Sequence, residues 1–215
     1  EIRAQTAKIL GDARDERYNK QLIKLLADTE PRVRYFAAVA LGKLGERKSQ
    51  SAVLAMLRAS GNDPWLRHAG MQALLGSATD IELAALSKDD SVTVRLAAVL
   101  ALRQLASPQL ELFLADRDPV VVAEAARAIN DLPVTDALPG VAALADNLTR
   151  FAALPAGTRE QPTPRDAILR RVINANRRLG SLTAELRLAA MIANAQLPDA
   201  IRTEAITALR DWTKP

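Results

Sequence analysis

The chain has 215 residues, room for one large domain or two small ones, and 49% of them are hydrophobic, enough for a sizeable core. Aromatics make up only 3% and cysteine is missing, which excludes disulfides, thiolate metal sites and thioether haem attachment within this segment. The net charge of +4 and a pI near 9.7 are compatible with acidic partners without requiring them, and no apolar run approaches the ~20 residues that would span a bilayer.

In chain order, "EIRAQTAKILG" (1–11) reads as a helix entered part-way, and "ERYNKQLIKLLAD" (16–28) as a short amphipathic helix. "PRVRYFAAVALGKLG" (31–45) follows, with Val33, Ala37, Ala40, Leu41 and Leu44 on one face at helical spacing. The alternation then repeats. Short helices are expected at 49–60, 78–89, 107–116 and 181–195 (helix A), each followed by a partner at 64–76, 92–105, 119–132 and 200–212 (helix B). Asp63-Pro64 and Asp118-Pro119 fit a cap and a first helical residue, and Gly45 and Gly76 read as terminators. Period-two runs of β-branched or aromatic residues, the mark of strands, are missing.

Registered on the Arg that follows an aliphatic residue, the B helices align through Arg3, Arg34, Arg67 and Arg95, then through Val122, where valine stands in the Arg place. The steps are 31, 33, 28 and 27 residues, and Arg202 occupies the same place in the last copy. This period signals an all-α fold, an α-solenoid of about six stacked antiparallel helix pairs. Helices of this length are marginal alone, so each pair must bury its apolar stripe against the next. The expected organisation is one repeat domain over 1–215, with a partial first repeat at 1–11 and an irregular repeat at about 133–180, cut from something longer because it opens mid-repeat. Inside the irregular repeat a long helix A leads to "PAGTREQPTP" (155–164). That segment is either a tolerated insertion or a binding or hinge loop.

The unit D-x-x-P-x-V-R-x-x-A-A-x-A-L-G resembles the HEAT repeat and is close to the HEAT-like repeats of phycobilin lyases. The resemblance implies a stacked ladder in which Asp28, Asp63, Asp90 and Asp199 pair with Arg34, Arg67, Arg95 and Arg202, with a break at Val122. More narrowly, "PRVRYFAAVALGKLG", "EAARAINDLP" (124–133), "LRRVINANRRLG" (169–180) and "DWTKP" (211–215) look like the HEAT segment of large membrane-bound or exported dehydrogenases frequent in planctomycetes. In that family a sugar-dehydrogenase-like propeller precedes the segment and a c-type haem domain follows. The resemblance implies a non-catalytic spacer and docking platform outside the cytoplasm, whose partners are neighbouring domains or another protein, with no cofactor of its own and no membrane insertion by this segment.

Little in the chain reads as chemistry. His68 is the single histidine, no G-x-S-x-G elbow presents a serine, and no Walker or G-x-G-x-x-G loop occurs. Asp89-Asp90 falls at a helix start, where capping accounts for it better than acid–base work. Trp65 and Trp212 read as packing anchors, and of Tyr35-Phe36 one ring should face the core and the other solvent or the next repeat. The densest charge lies in "PRDAILRRVINANRRLG": Arg165, Arg170, Arg171, Arg177 and Arg178 against Asp166 carry a net +4, equal to the whole chain. Arg170 and Arg177 share one helix face, Arg171 and Arg178 another, with Asn174 between them. These arginines either satisfy neighbouring helices or hold a carboxylate- or phosphate-bearing partner. The second choice leaves a nucleic-acid-binding module as the alternative to a protein scaffold. Few aromatics are available for base stacking, which makes nucleic acid the weaker partner.

Overall fold

A computed structural model describes residues 1–132, 134–152, 154–155, 157 and 163–212. Every regular element among them is helical: α1 (Ile2–Asp12), α2 (Asn19–Leu25), α3 (Pro31–Leu44), α4 (Gln50–Ala59), α5 (Pro64–Ser77), α6 (Asp80–Ala85), α7 (Val92–Gln104), α8 (Pro119–Asp131), α9 (Leu138–Ala143), α10 (Thr149–Ala152), α11 (Pro164–Leu179), α12 (Leu182–Ala193) and α13 (Asp199–Arg210), with short 3₁₀ segments between them. The chain forms two compact units, Glu1–Leu105 and Ala106–Pro215. The fold class is the all-α helical repeat of α-solenoid type.

In the first unit the B helices α1, α3, α5 and α7 lie side by side in that order, and α2, α4 and α6 each back the B helix that follows. The starts of the long helices follow from side-chain chemistry. Asp63 accepts the backbone N–H groups of Trp65 and Leu66, and Ser91 accepts that of Val94. Thr79 and Glu82 close a reciprocal capping box on α6. Pro occupies the first turn of α3 and α5, where its missing N–H would have had no partner anyway. Gly45 ends α3 in the left-handed conformation at φ 64°, which glycine adopts without steric cost.

Gly76 plays a different part from the expected terminator. It lies inside α5, which runs on to Ser77. A methyl group on Gly76 would overlap the carbonyl of Gly42 in α3, and one on Gly42 would overlap the backbone at Gln72. The two helices therefore meet backbone to backbone. Ala40 sits equally close against Gly11 of α1, where an added Cβ would come within 2.6 Å. This is the use of the abundant alanine: the B-helix row is closer than branched side chains would permit, and Ala37, Ala38, Ala69, Ala73, Ala97 and Ala98 fill it, all fully buried.

The A positions are shorter and tighter than the apolar pattern suggests. Residues 16–28 divide into a 3₁₀ turn and the seven-residue α2, and 107–116 forms a 3₁₀ segment, Pro108–Ala115. There Leu110 and Phe113 stand three residues apart, one turn of such a helix, and both are fully buried.

In the second unit that 3₁₀ segment backs α8, α11 packs against α8, α9 and α13, and α12 pairs with α13. The core gathers Val122, Phe151, Ile168, Leu169, Val172, Leu188, Met191 and Ile201, with Trp212 packed at its edge. The long helix A expected after residue 133 is broken into α9, a 3₁₀ turn and α10. Most of the 155–164 loop and the last three residues of "DWTKP" lie outside the described residues.

Substituting Gly76→Ala must push α3 and α5 apart, and overpacking of this kind costs on the order of 1–3 kcal/mol. Urea denaturation should show a lower midpoint for the variant; an unchanged midpoint would mean that the two backbones are not in contact.

Candidate protein-docking site

Of the expected Asp–Arg pairs, Asp199–Arg202 forms an ion pair, and Arg34, Arg67 and Arg95 each donate to the turn before their own helix. Arg34 folds back onto its own turn and donates from Nη1 to the carbonyls of Asp28 (2.8 Å) and Thr29 (3.1 Å). Arg95, only 1% exposed, does the same to Asp89 (2.7 Å) and Asp90 (3.0 Å). Arg67 reaches the Asn62 side chain at 3.3 Å. The Asp28 carboxylate instead takes the guanidinium of Arg3, in the preceding B helix, through two bonds of 2.8 and 3.0 Å. That bond, with the Glu30 N–H, holds Asp28 below its ordinary pKa. Asp63 is a helix cap, and Asp199 forms a 3.6 Å ion pair with Arg202. The ladder thus satisfies turn carbonyls, which are costly to leave bare when buried.

Val122 breaks the row, and the structure supplies the missing donor from elsewhere. Arg150, in α10, donates to the carbonyls of Leu114 (3.0 Å) and Asp116. Asp116 precedes Val122 by the offset that relates Asp28 to Arg34 and Asp89 to Arg95. Val122 itself goes into the core, fully buried. No spacing in the sequence points to Arg150, because the contact joins two repeats.

The arginine helix is α11. Its apolar face, Ile168, Leu169, Val172 and Ile173, is buried. Thr163 and Asp166 form a capping box at its start. Burial alone would raise the Asp166 pKa; hydrogen bonds from Thr163 and Gly157 and the charge of Arg170 outweigh it and hold the group low. The two heptad pairs go to different neighbours. Arg170 pairs with Glu204 at 3.3 Å, and Arg177 lies near Asp211, so this face addresses α13 and the residue after it. Arg171 pairs with Asp131 at 3.6 Å, and Arg178 donates to the Asn130 carbonyl at 2.8 Å, so that face addresses α8. Arg165 turns to the carbonyls of Leu154 and Gln196. Asn174 stays exposed between the pairs.

A cleft that the sequence did not reveal opens in the first unit. It holds about 360 Å³ between the N-terminal halves of α3 and α5 and is lined by Pro31, Arg32, Tyr35, Phe36, Asp63, Trp65 and Leu66. Trp65, read from sequence as a packing anchor, is 72% exposed. Its place near the start of α5 points it away from the buried face carried by Leu66, Ala69 and Ala73. Tyr35 and Phe36, expected to divide between core and surface, are both half-buried on the cleft, their rings edge to face at 5.2 Å. The Arg32 guanidinium lies over Phe36 at 5.9 Å and pairs with Glu1 at 3.3 Å. His68 is exposed on the same helix as Trp65. Among the described residues no cluster of His, Cys, Asp and Glu is placed to hold a metal ion, and no helix is long and apolar enough to cross a membrane.

A family model described as HEAT repeats matches residues 1–75. Among solved structures, human deoxyhypusine hydroxylase in complex with glycerol is similar at 21% identity, over 97% of this chain and 78% of that one, with a TM-score of 0.42. A designed armadillo repeat protein is similar at 14% identity, over 98% of this chain and 93% of that one, with a TM-score of 0.37. No curated protein matches the chain. Over residues 1–75 the helical repeats are HEAT-like.

Removing Arg150 would strip two turn carbonyls of their donor, a loss of about 1–3 kcal/mol for buried groups. In a Trp65→Phe background, Arg150→Ala should therefore lower the unfolding midpoint of the second unit, read from Trp212 fluorescence. An unaltered midpoint would show that water replaces the guanidinium without cost.

Proposed function

We propose that this chain is a non-catalytic protein-interaction scaffold. The observation that carries the reading is the α3–α5 cleft, where Trp65, Tyr35 and Arg32 stand together on an exposed surface. Trp, Tyr and Arg dominate the energetics of protein–protein contacts because each combines a large contact area with few lost rotamers or several donors. Two leucines on the outer face of α12, Leu182 and Leu186, are 71% and 62% exposed and add apolar surface available to a partner. HEAT and armadillo repeats suggest the same role. Asn174 and Arg177 supply a secondary polar contact on α11, beside Arg170, Arg171 and Arg178.

The quoted strings support a finer reading: the segment is the middle part of a large exported dehydrogenase-like protein, spacing and docking an oxidising domain against an electron acceptor. Cross-linking mass spectrometry on the full-length gene product tests it. The expected result is a set of cross-links from α3 and α5 to a neighbouring domain or subunit that Trp65→Ala weakens. An absence of any contact from this segment would overturn the scaffold reading.

The alternative, nucleic-acid binding through α11, rests on the pI and the arginine pairs. Against it, Glu204, Asp131 and the Asn130 carbonyl already engage three of those arginines. A filter-binding titration against salt should show no steep loss of affinity. A log–log slope of several units, the signature of phosphate contacts, would favour the alternative.

A further inference from the structure

We propose that the outer face of α12 is a self-association site, on which α12 of a second copy of this chain packs antiparallel about a two-fold axis. The proposal rests on the scaffold reading, which counts Leu182 and Leu186 as surface for a partner, and names that partner.

A helix at the surface of a fold is ordinarily apolar on one side and polar on the other. Helix α12 is apolar on both. Ala184, Leu188 and Met191 face the core and are buried. On the opposite side Leu182, Leu186, Ala189 and Ala193 are all exposed and form one stripe without a charge. Other helices in the A position differ. Helix α2 turns Lys20, Gln21 and Lys24 to solvent, and α4 turns Ser51 and Arg58. An uncharged outer face is therefore no requirement of the repeat.

The spacing of the stripe names the kind of partner. Steps of four, three and four residues are those of a heptad seam, which receives another helix. The sizes of the residues name which helix, and in which direction. Both leucines stand in the first half of the seam and both alanines in the second. Take a copy of α12 laid antiparallel, with the two-fold axis crossing between Arg187 and Leu188. Leu182 then lies opposite Ala193 of the second copy, and Leu186 opposite Ala189. Every layer holds one large and one small side chain, so all layers fill alike. A parallel copy would set Leu on Leu and Ala on Ala. Those layers ask for axis separations at opposite ends of the ~8–10 Å range, which one straight pair cannot supply. The seam is thus complementary to itself when reversed, which is the condition for an isologous two-fold contact. One pair of 12-residue helices covers less than the ~800 Å² per partner of a standard interface. The dimer is therefore weak and forms at micromolar concentration.

Sedimentation equilibrium on the intact chain tests this, from about 1 to about 500 µM, the range in which so small an interface dissociates. The weight-average mass should rise with concentration from the 23.2 kDa of one chain toward twice that value. Leu186→Glu places a charge in the seam and should weaken association about tenfold or more. Ala189→Leu separates this register from general stickiness. It adds apolar surface, yet it sets Leu against Leu and should also weaken the dimer. Both residues are exposed, so the thermal midpoint of the dilute chain should stay unchanged in each variant, which keeps the readout from reporting misfolding. A monomer at every concentration, a dimer indifferent to Leu186→Glu, or one tightened by Ala189→Leu would overturn the assignment. If the chain stays monomeric while cross-links from α3 and α5 to a neighbouring domain persist, the self-association site falls and the scaffold reading stands.

Discussion

The structure depends on how closely the B helices approach. Gly42 and Gly76 leave no room for a side chain between α3 and α5, and Gly11 meets Ala40 in the same way between α1 and α3. Helices of this length are marginal in water, and they persist here because each is held along its length by the next. Small residues in the row permit contact between backbones, which brings the many weak dispersion contacts to their optimal distance. The alanine content, which in the sequence looks like mere helix propensity, is therefore a geometric requirement.

Close stacking creates a second problem. Turns between hairpins are drawn toward the interior, and their carbonyls need donors. Arg34 and Arg95 solve it locally, each reaching back to the turn before its own helix. In the second unit Arg150 does the same work across repeats for the carbonyl of Asp116. The arginines of α11 extend the principle from turns to whole helices, one heptad pair turned to α13 and the other to α8. Guanidinium groups suit this because their donors lie in a fixed planar fork on a long apolar stem. Part of the chain's positive charge is thus engaged by its own carbonyls and carboxylates, at Arg34, Arg95, Arg150 and α11.

Much of this was legible in the residues. The starts of α3, α5 and α8 follow from Pro at the first turn, and the caps at Asp63 and Asp118 from their position before it. The repeat period gave the fold class, because one face of each helix is apolar at 3.6-residue spacing. What stayed hidden depends on contacts between copies. Gly76 looks like a terminator until α3 is placed against it. Trp65 looks like core until the buried stripe of α5 is seen to pass through Leu66. Arg150 carries no periodic signal at all. The ladder was drawn between carboxylates and guanidinium groups because opposite charges suggest it. Buried backbone carbonyls, which no residue letter records, proved the stronger claim on Arg34. The long helix expected after residue 133 is interrupted by the 3₁₀ turn Leu144–Asn147, and Pro139 stands in the first turn of α9, where it begins a helix and does not continue one.

The most direct measurement of the central claim is native-state hydrogen exchange on the intact chain. If the B helices stand only by mutual contact, amides in the middle of α3 and α5 will exchange slowest in the first unit and with closely similar opening free energies, while those of α2 exchange faster through local fraying. Exchange of α3 and α5 at unrelated rates, or as fast as α2, would mean that each helix stands by itself and that the backbone seam does not hold the unit together.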